Sequence, residues 1–156
     1  TTRGPDSQCS RRAVELTDER GITAGGHILI GLPGETAEES IAQAHVMSSL
    51  PLDILKIHQM QIIKGTRLAA MYAEKPFHLY TSDEYTETII SYLEHLRPDI
   101  AVERFASQSP KDLLIAPQWG LKNYELTNLV VNKMKREGRY QGSLSTESNL
   151  SIAIPE

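Results

Sequence analysis

The residues best placed for chemistry run Gly25-Gly26-His27-Ile28-Leu29-Ile30-Gly31-Leu32-Pro33-Gly34-Glu35-Thr36. An apolar run stops at a glycine turn, and a helix-start signature follows at once. In parallel α/β proteins such a junction gathers open backbone and helix-start N–H groups, which is where ligands are held. Gly31 and Gly34 also suit a plain turn, because glycine reaches backbone conformations that other residues resist. Glu35 reads first as a complement to the helix dipole. Elsewhere the reactive side chains are dispersed. The five histidines lack a His-x3-His spacing, so a self-contained zinc site is not expected. His27 and His58 read as structural histidines, hydrogen-bonded inside the fold. Lys56, on an apolar strand, needs a partner, and an ion pair suits it better than a catalytic amine. Arg104 ends a short strand and suits a ligand carboxylate or a neighbouring acid. Trp119 reads as packing a loop. Cys9 is the one cysteine. It cannot close an internal disulfide, which fits a reducing cytoplasm, and it cannot ligate a metal cluster alone.

The elements that must position these residues follow from pattern. The chain has 156 residues, 40% hydrophobic and 23% charged, enough for one domain with a core. No apolar run is long enough to span a bilayer. Net charge is −4, and the basic residues cluster only at Lys133, Lys135, Arg136 and Arg139, which is not a nucleic-acid footprint.

Residues 1–9 read as a disordered or truncated edge. Ser10 suits the cap of a helix to Arg20, stopped by Gly21. Ile22 to Leu32 reads as a strand buried on both faces. Thr36-Ala37-Glu38-Glu39 is a capping box opening a helix to about Ser49. Asp53 to Ile63 reads as a second strand, with Lys56, His58 and Met60 on one face and Leu55, Ile57, Gln59 and Gln61 on the other. Thr66 suits the cap of a short helix to about Ala73. A second capping box at Thr81 opens a helix striped by Tyr85, Ile89, Tyr92, Leu93 and Leu96 and stopped by Pro98. Ile100 to Phe105 is a third strand. A brief helix is expected near Lys111–Ile115, and a last one over 122–137, closed by Gly138. Residues 139–156 read as a flexible tail.

Alternating strands and helices imply a parallel α/β sheet with right-handed crossovers. Three strands are too few to close a barrel. The expectation is an incomplete sheet whose exposed edge and apolar face are covered by more of the same protein or by a second copy.

Three ordered stretches carry a family likeness. They are Gly26-His27-x-Leu29-x-Gly31-Leu32-Pro33-Gly34-Glu35, then Leu55-Lys56-Ile57-His58-Gln59-x-Gln61-x-x-Lys64-Gly65-Thr66-x-Leu68-Ala69, then Glu103-Arg104-Phe105-Ala106. With Trp119-Gly120-Leu121-Lys122-Asn123 they resemble the C-terminal half of radical SAM proteins, nearest the YhcC-like branch of Fe–S oxidoreductases. The resemblance implies an α/β fold: the C-terminal part of a partial (β/α) TIM-like barrel, over residues 10–138. Family members bind a [4Fe–4S] cluster through Cys-x3-Cys-x2-Cys, and S-adenosylmethionine on that cluster yields a 5′-deoxyadenosyl radical. This chain has no such cysteine set. It therefore reads as a C-terminal fragment, inactive alone, whose missing N-terminal half holds the cluster in the full-length protein.

The resemblance further implies that Leu29 and Gly31 line the adenine of S-adenosylmethionine, and that the strand through Ile57, His58 and Gln59 reads the adenine by its backbone edge. Arg104 suits a carboxylate of the substrate or of the methionine of S-adenosylmethionine, as well as a neighbouring acid. No catalytic residue and no metal ligand is assigned within the chain, and its substrate stays open. Two other readings stand beside this one: a non-catalytic half-barrel that binds a nucleotide or protein partner, and a phosphate site at the Gly34 turn.

Overall fold

The computed structural model describes residues 7–145. Three strands form a parallel sheet in the order β1 (Gly25–Ile30), β2 (Ile54–Gln59), β4 (Ala101–Arg104). A helix follows β1, namely α2 (Ala37–Ser48); α3 (Arg67–Glu74) and α4 (Ser82–His95) lie between β2 and β4, and α5 (Asn123–Glu137) comes last. α1 (Ser7–Asp18) precedes β1. The chain is thus an α/β unit of parallel strands alternating with helices.

One face of the sheet carries the core. Ile28 and Ile30 of β1 and Leu55 and Ile57 of β2 are buried together with Tyr85, Ile89, Tyr92 and Leu93 of α4 and with Leu96 at its C-cap. The period-four stripe on α4 and the period-two alternation on β1 and β2 meet there, each such side chain contributing about 1.5–3 kcal/mol by leaving water. Leu126, Val130 and Met134 of α5 join the same cluster. The opposite face of β1 shows His27 and Leu29 exposed.

Helix starts are fixed locally. Thr36 and Thr81 each accept from the backbone three residues on, while Glu39 and Glu84 return the bond, so both capping boxes form. Thr66 caps α3. Gly21 and Gly138, after α1 and α5, take left-handed φ values of 66° and 67°.

Four boundaries differ from expectation. α1 begins at Ser7, so Ser10 lies inside the helix and does not cap it. β1 is shorter than the Ile22–Leu32 run, because glycines flank its end and Gly31 turns the chain at φ 86°. The run Asp53–Ile63 is two strands: after Gln59 the chain leaves the parallel sheet, and β3 (Ile62–Ile63) pairs antiparallel with β5 (Leu114–Ala116). Burial changes phase at the break, from Leu55, Ile57 and Gln59 to Met60 and Ile62. The expected helix near Lys111–Ile115 is a single turn, with Leu113 N–H and Leu114 N–H both donating to Pro110 O, followed by β5. The free edge of β3 captures the apolar Leu-Ile-Ala run once that turn is made.

The first part of the expected tail, residues 139–145, is docked. Gly142 N–H donates to Leu93 O at 3.0 Å and Leu144 N–H to Glu94 O at 2.8 Å. Gln141 donates to Arg97 O and Ile100 O, both at 2.9 Å. Arg139 lies between Glu87 and Glu94 of α4. Polar composition suggested looseness, but the backbone N–H groups of Gly142 and Leu144 satisfy carbonyls at the open end of α4, and the Gln141 side chain those just beyond it. The remaining tail residues, 146–156, and residues 1–6 lie outside the described part.

Candidate functional site

The side of the sheet away from the helices is a band of polar and apolar side chains. Parallel pairing sets His27 beside Lys56 and Leu29 beside His58. The His27 and His58 rings stack, with centroids 5.3 Å apart and planes 16° from parallel. Lys56 Nζ pairs with Glu103 at 3.0 Å, and Arg104 reaches the same carboxylate at 3.1 Å. Lys56 therefore has the ion pair that its strand position required, and Arg104 meets a neighbouring acid. The two cations hold the Glu103 carboxyl below its ordinary value, the Lys56 hydrogen bond contributing most.

His58 departs from the hydrogen-bonded structural role expected of it. Its Nε2 is buried without a hydrogen-bond partner. Burial lowers its pKa, and His27, Arg104 and Lys56 lower it further. Both effects favour the neutral imidazole, and one of its ring nitrogens is left unused.

At the C-terminal end of β1 the glycine turn is tightly engaged. A Cβ on Gly31 would come within 3.2 Å of the Tyr80 ring, so glycine is needed for space as well as for its positive φ. Gly31 N–H and Leu32 N–H both donate to Glu35 Oε2 at 3.0 Å, and Gln43 donates to the other carboxylate oxygen. Thr36 N–H is held by Glu39. Three of the donors near this turn are thus taken by carboxylates, whose negative charge also disfavours a phosphate at the Gly34 turn. Glu35, expected only to complement a dipole, ties this turn together.

The six residues singled out for cofactor contact do not share one surface. Leu29 and His58 lie side by side on the open face. Gly31 borders it beneath Tyr80. Ile57 is fully buried on the helix-packed face, so its side chain cannot reach a ligand there. The Gln59 amide is spent on Ser107, accepting from its N–H at 2.8 Å and donating to its carbonyl at 2.9 Å. Arg104 is engaged by Glu103.

Above the strand ends His27, Leu29, His58, Met60, Gln61 and Ser107 border a shallow concavity of about 390 Å³. It runs through Gln59, Gln61 and Ser107 into a second of about 310 Å³, walled by the loop that carries Trp119. Ser107, Ser109 and this second concavity escaped the sequence reading. The polar run Ser107-Gln108-Ser109 directly after β4 was the signal available. Trp119 packs its loop as expected, its ring 4.9 Å from that of Tyr85 and its N–H donating to Tyr80 O at 2.9 Å.

Among the described residues no group of three or more His, Cys, Asp or Glu side chains could hold a metal ion. Cys9 is exposed on α1. A [4Fe–4S] cluster needs several thiolates, and this chain's residues do not fit one. No described helix is long and apolar enough to cross a membrane.

These features define a class: a parallel α/β unit resembling part of a (β/α) barrel, with a ligand-sized concavity at its strand ends. The sequence model of the Radical_SAM C-terminal domain matches residues 52–136, and the chain belongs to that family. An uncharacterised protein of Methanocaldococcus jannaschii is 30% identical over 90% of this chain and 44% of its own length. The Escherichia coli protein YhcC is 27% identical over 75% of this chain and 38% of its own length. A tRNA uridine(34) acetyltransferase of Methanocaldococcus infernus is 25% identical over 87% of this chain and 26% of its own. The solved structure of archaeal Methanocaldococcus infernus Elp3 with an N-terminal deletion superposes with a TM-score of 0.76 at 22% identity. It covers 90% of this chain and 33% of that one, a likeness of fold. The chain spans less than half the length of the curated relatives it matches.

Proposed function

We propose that this chain is the C-terminal part of a radical SAM Fe–S oxidoreductase and supplies the adenine side of the S-adenosylmethionine site in the whole protein. The observation that carries the reading is the open face at the end of β1. There the apolar Leu29 side chain borders the concavity beside His58, a surface on which a flat base can lie, and Gly31, two residues on, sits against the Tyr80 ring at its edge. The unused Nε2 of neutral His58 adds one hydrogen-bonding atom beside Leu29. Ile57 and Gln59 act through their backbone, since their side chains are committed elsewhere. In a radical SAM protein the cluster and S-adenosylmethionine together supply a 5′-deoxyadenosyl radical. This chain contributes shape and apolar surface, and the cluster ligands belong to the missing N-terminal half. The full-length protein works in the cytoplasm.

The test is anaerobic reconstitution of the full-length protein with iron and sulfide, then S-adenosylmethionine and a reductant. Formation of 5′-deoxyadenosine is expected, and its absence sinks the proposal. In the same protein Leu29→Asp should weaken S-adenosylmethionine binding about tenfold, the equivalent of one apolar contact. An unchanged affinity moves the adenine elsewhere.

A second reading is favoured by the single cysteine: a non-catalytic half-barrel that binds a nucleotide or protein partner. The reading frame discriminates. An upstream in-frame Cys-x3-Cys-x2-Cys supports the enzyme, and a native start codon near Thr1 supports the module. The acetyltransferase named among the relatives acts on tRNA; the acidic balance of this chain makes RNA the less favoured substrate here.

A further inference from the structure

We infer that the second concavity, beside the surface proposed for adenine, binds an organic anion with a flat apolar body. Its volume of about 310 Å³ suits a ligand of one or two rings. Leu114, Pro117, Leu121 and the Trp119 ring give it an apolar floor. Lys111, on the turn before β5, and Lys122, just before α5, stand at its border. Neither ammonium makes an ion pair among the described residues, and no Asp or Glu lines the concavity. Lys122 Nζ lies 5.8 Å from the Tyr124 ring centroid, a contact an incoming anion can share or replace.

Of the other polar side chains in the lining, only the Gln108 amide makes no hydrogen bond among the described residues, which narrows the ligand. Gln59 is held by Ser107, Gln61 accepts from Ser109 Oγ at 2.7 Å, and the Trp119 N–H is taken by Tyr80 O. What remains for a ligand is apolar surface, positive charge and the Gln108 amide. A neutral ring leaves both lysines unused, and a bare phosphate leaves the floor wet. In a protein of net charge −4, two unpaired cations over an apolar floor select an amphipathic anion. A polynucleotide needs a broader basic face than two lysines supply. As a binding site the concavity stands on its own residues. Its role as the substrate pocket rests on the proposed function.

The test uses the 156-residue chain, 15N-labelled, titrated with naphthalene-1-acetate and with the neutral naphthalene-1-acetamide. The chain has one tryptophan, so its single indole N–H signal reports Trp119 without ambiguity. The acid is expected to shift that signal saturably and to bind about five- to tenfold more tightly than the amide, the scale of two partly exposed charge contacts. In the variant carrying Lys111→Gln and Lys122→Gln, with an unchanged thermal midpoint, the preference for the acid should vanish. An indole signal that ignores the acid overturns the inference, as does a preference that survives the double substitution. Displacement of the acid by a single-stranded oligonucleotide at matched ionic strength would reassign the lysines and overturn it too. None of these readouts requires a cluster or S-adenosylmethionine. A failure here is therefore separate from a failure to form 5′-deoxyadenosine.

Discussion

His58 concentrates the residue-scale argument. Its ring is stacked on His27, its Nε2 is unpartnered, and burial is the first cause of its lowered pKa. In the unfolded chain the imidazole titrates near its ordinary 6.5. The folded state binds that proton less readily, so the unfolded state carries more protons in the window below 6.5. Stability therefore rises with pH through that window and is lost as pH falls from about 6.5 toward the folded-state value. Proton NMR titration of the His58 ring should give a midpoint below 6.5, and His58→Asn should flatten the acid side of the stability profile. A midpoint at or above 6.5 contradicts the stacked, neutral histidine. Gly31 makes a second case. Its φ of 86° and the nearby Tyr80 ring penalise any side chain. Gly31→Ala should cost about 1–2 kcal/mol in urea unfolding. A neutral result would mean that the turn relaxes freely.

At the scale of elements, legibility followed locality. Both capping boxes, the glycine stops and the α4 stripe were readable because each is decided by residues within one or two turns of each other. β2 was readable because burial on one face leaves a period-two record; β1 was readable as a strand from its apolar run, but that run implied burial on both faces, and the face with His27 and Leu29 is open. The pairing of β3 with β5 was not readable, since Ile62 and Ala116 are far apart in sequence and strands of two and three residues leave no period. The docking of 139–145 was hidden for the same reason: its partners lie on α4. The site was legible as a place and not as a set of side chains. The glycine turn marked the strand ends, yet only tertiary packing shows Ile57 facing the helices and Gln59 engaged by Ser107. Arg139 tests the docked segment. It meets Glu94 at 2.7 Å with Glu94 largely covered, while Lys133 shares Glu87 with it. Arg139→Ala should lower stability by about 1–2 kcal/mol and speed amide exchange at Leu144. Thermal unfolding with hydrogen exchange reads both. Unchanged exchange at Leu144 would show that the segment docks through Gln141 and its backbone alone.

The whole molecule has a covered face and an open one, and the open one is where the proposed function puts the rest of the protein. Leu29 and Leu32 are 38% and 41% exposed at the end of β1, beside stacked histidines and an unfilled concavity. β1 and β4 are the two outer strands of a three-stranded sheet, each with an edge that no described strand covers. Unpaired parallel edges with adjacent apolar surface drive association until something pairs with them. The proposal for the full-length protein names that partner as the N-terminal half of the barrel. In its absence a second copy should take the place, so the isolated 156-residue chain is expected to self-associate in light scattering at micromolar concentration. Leu29→Lys combined with Leu32→Lys should return it to a monomer by placing charge on the exposed patch, with the capping boxes and core untouched. Adding the N-terminal half as a separate polypeptide should also dissolve the self-association, because both compete for one surface. A wild-type chain that stays monomeric would mean that this face tolerates water. The adenine wall would then have to be built without the apolar closure that a half-barrel interface provides.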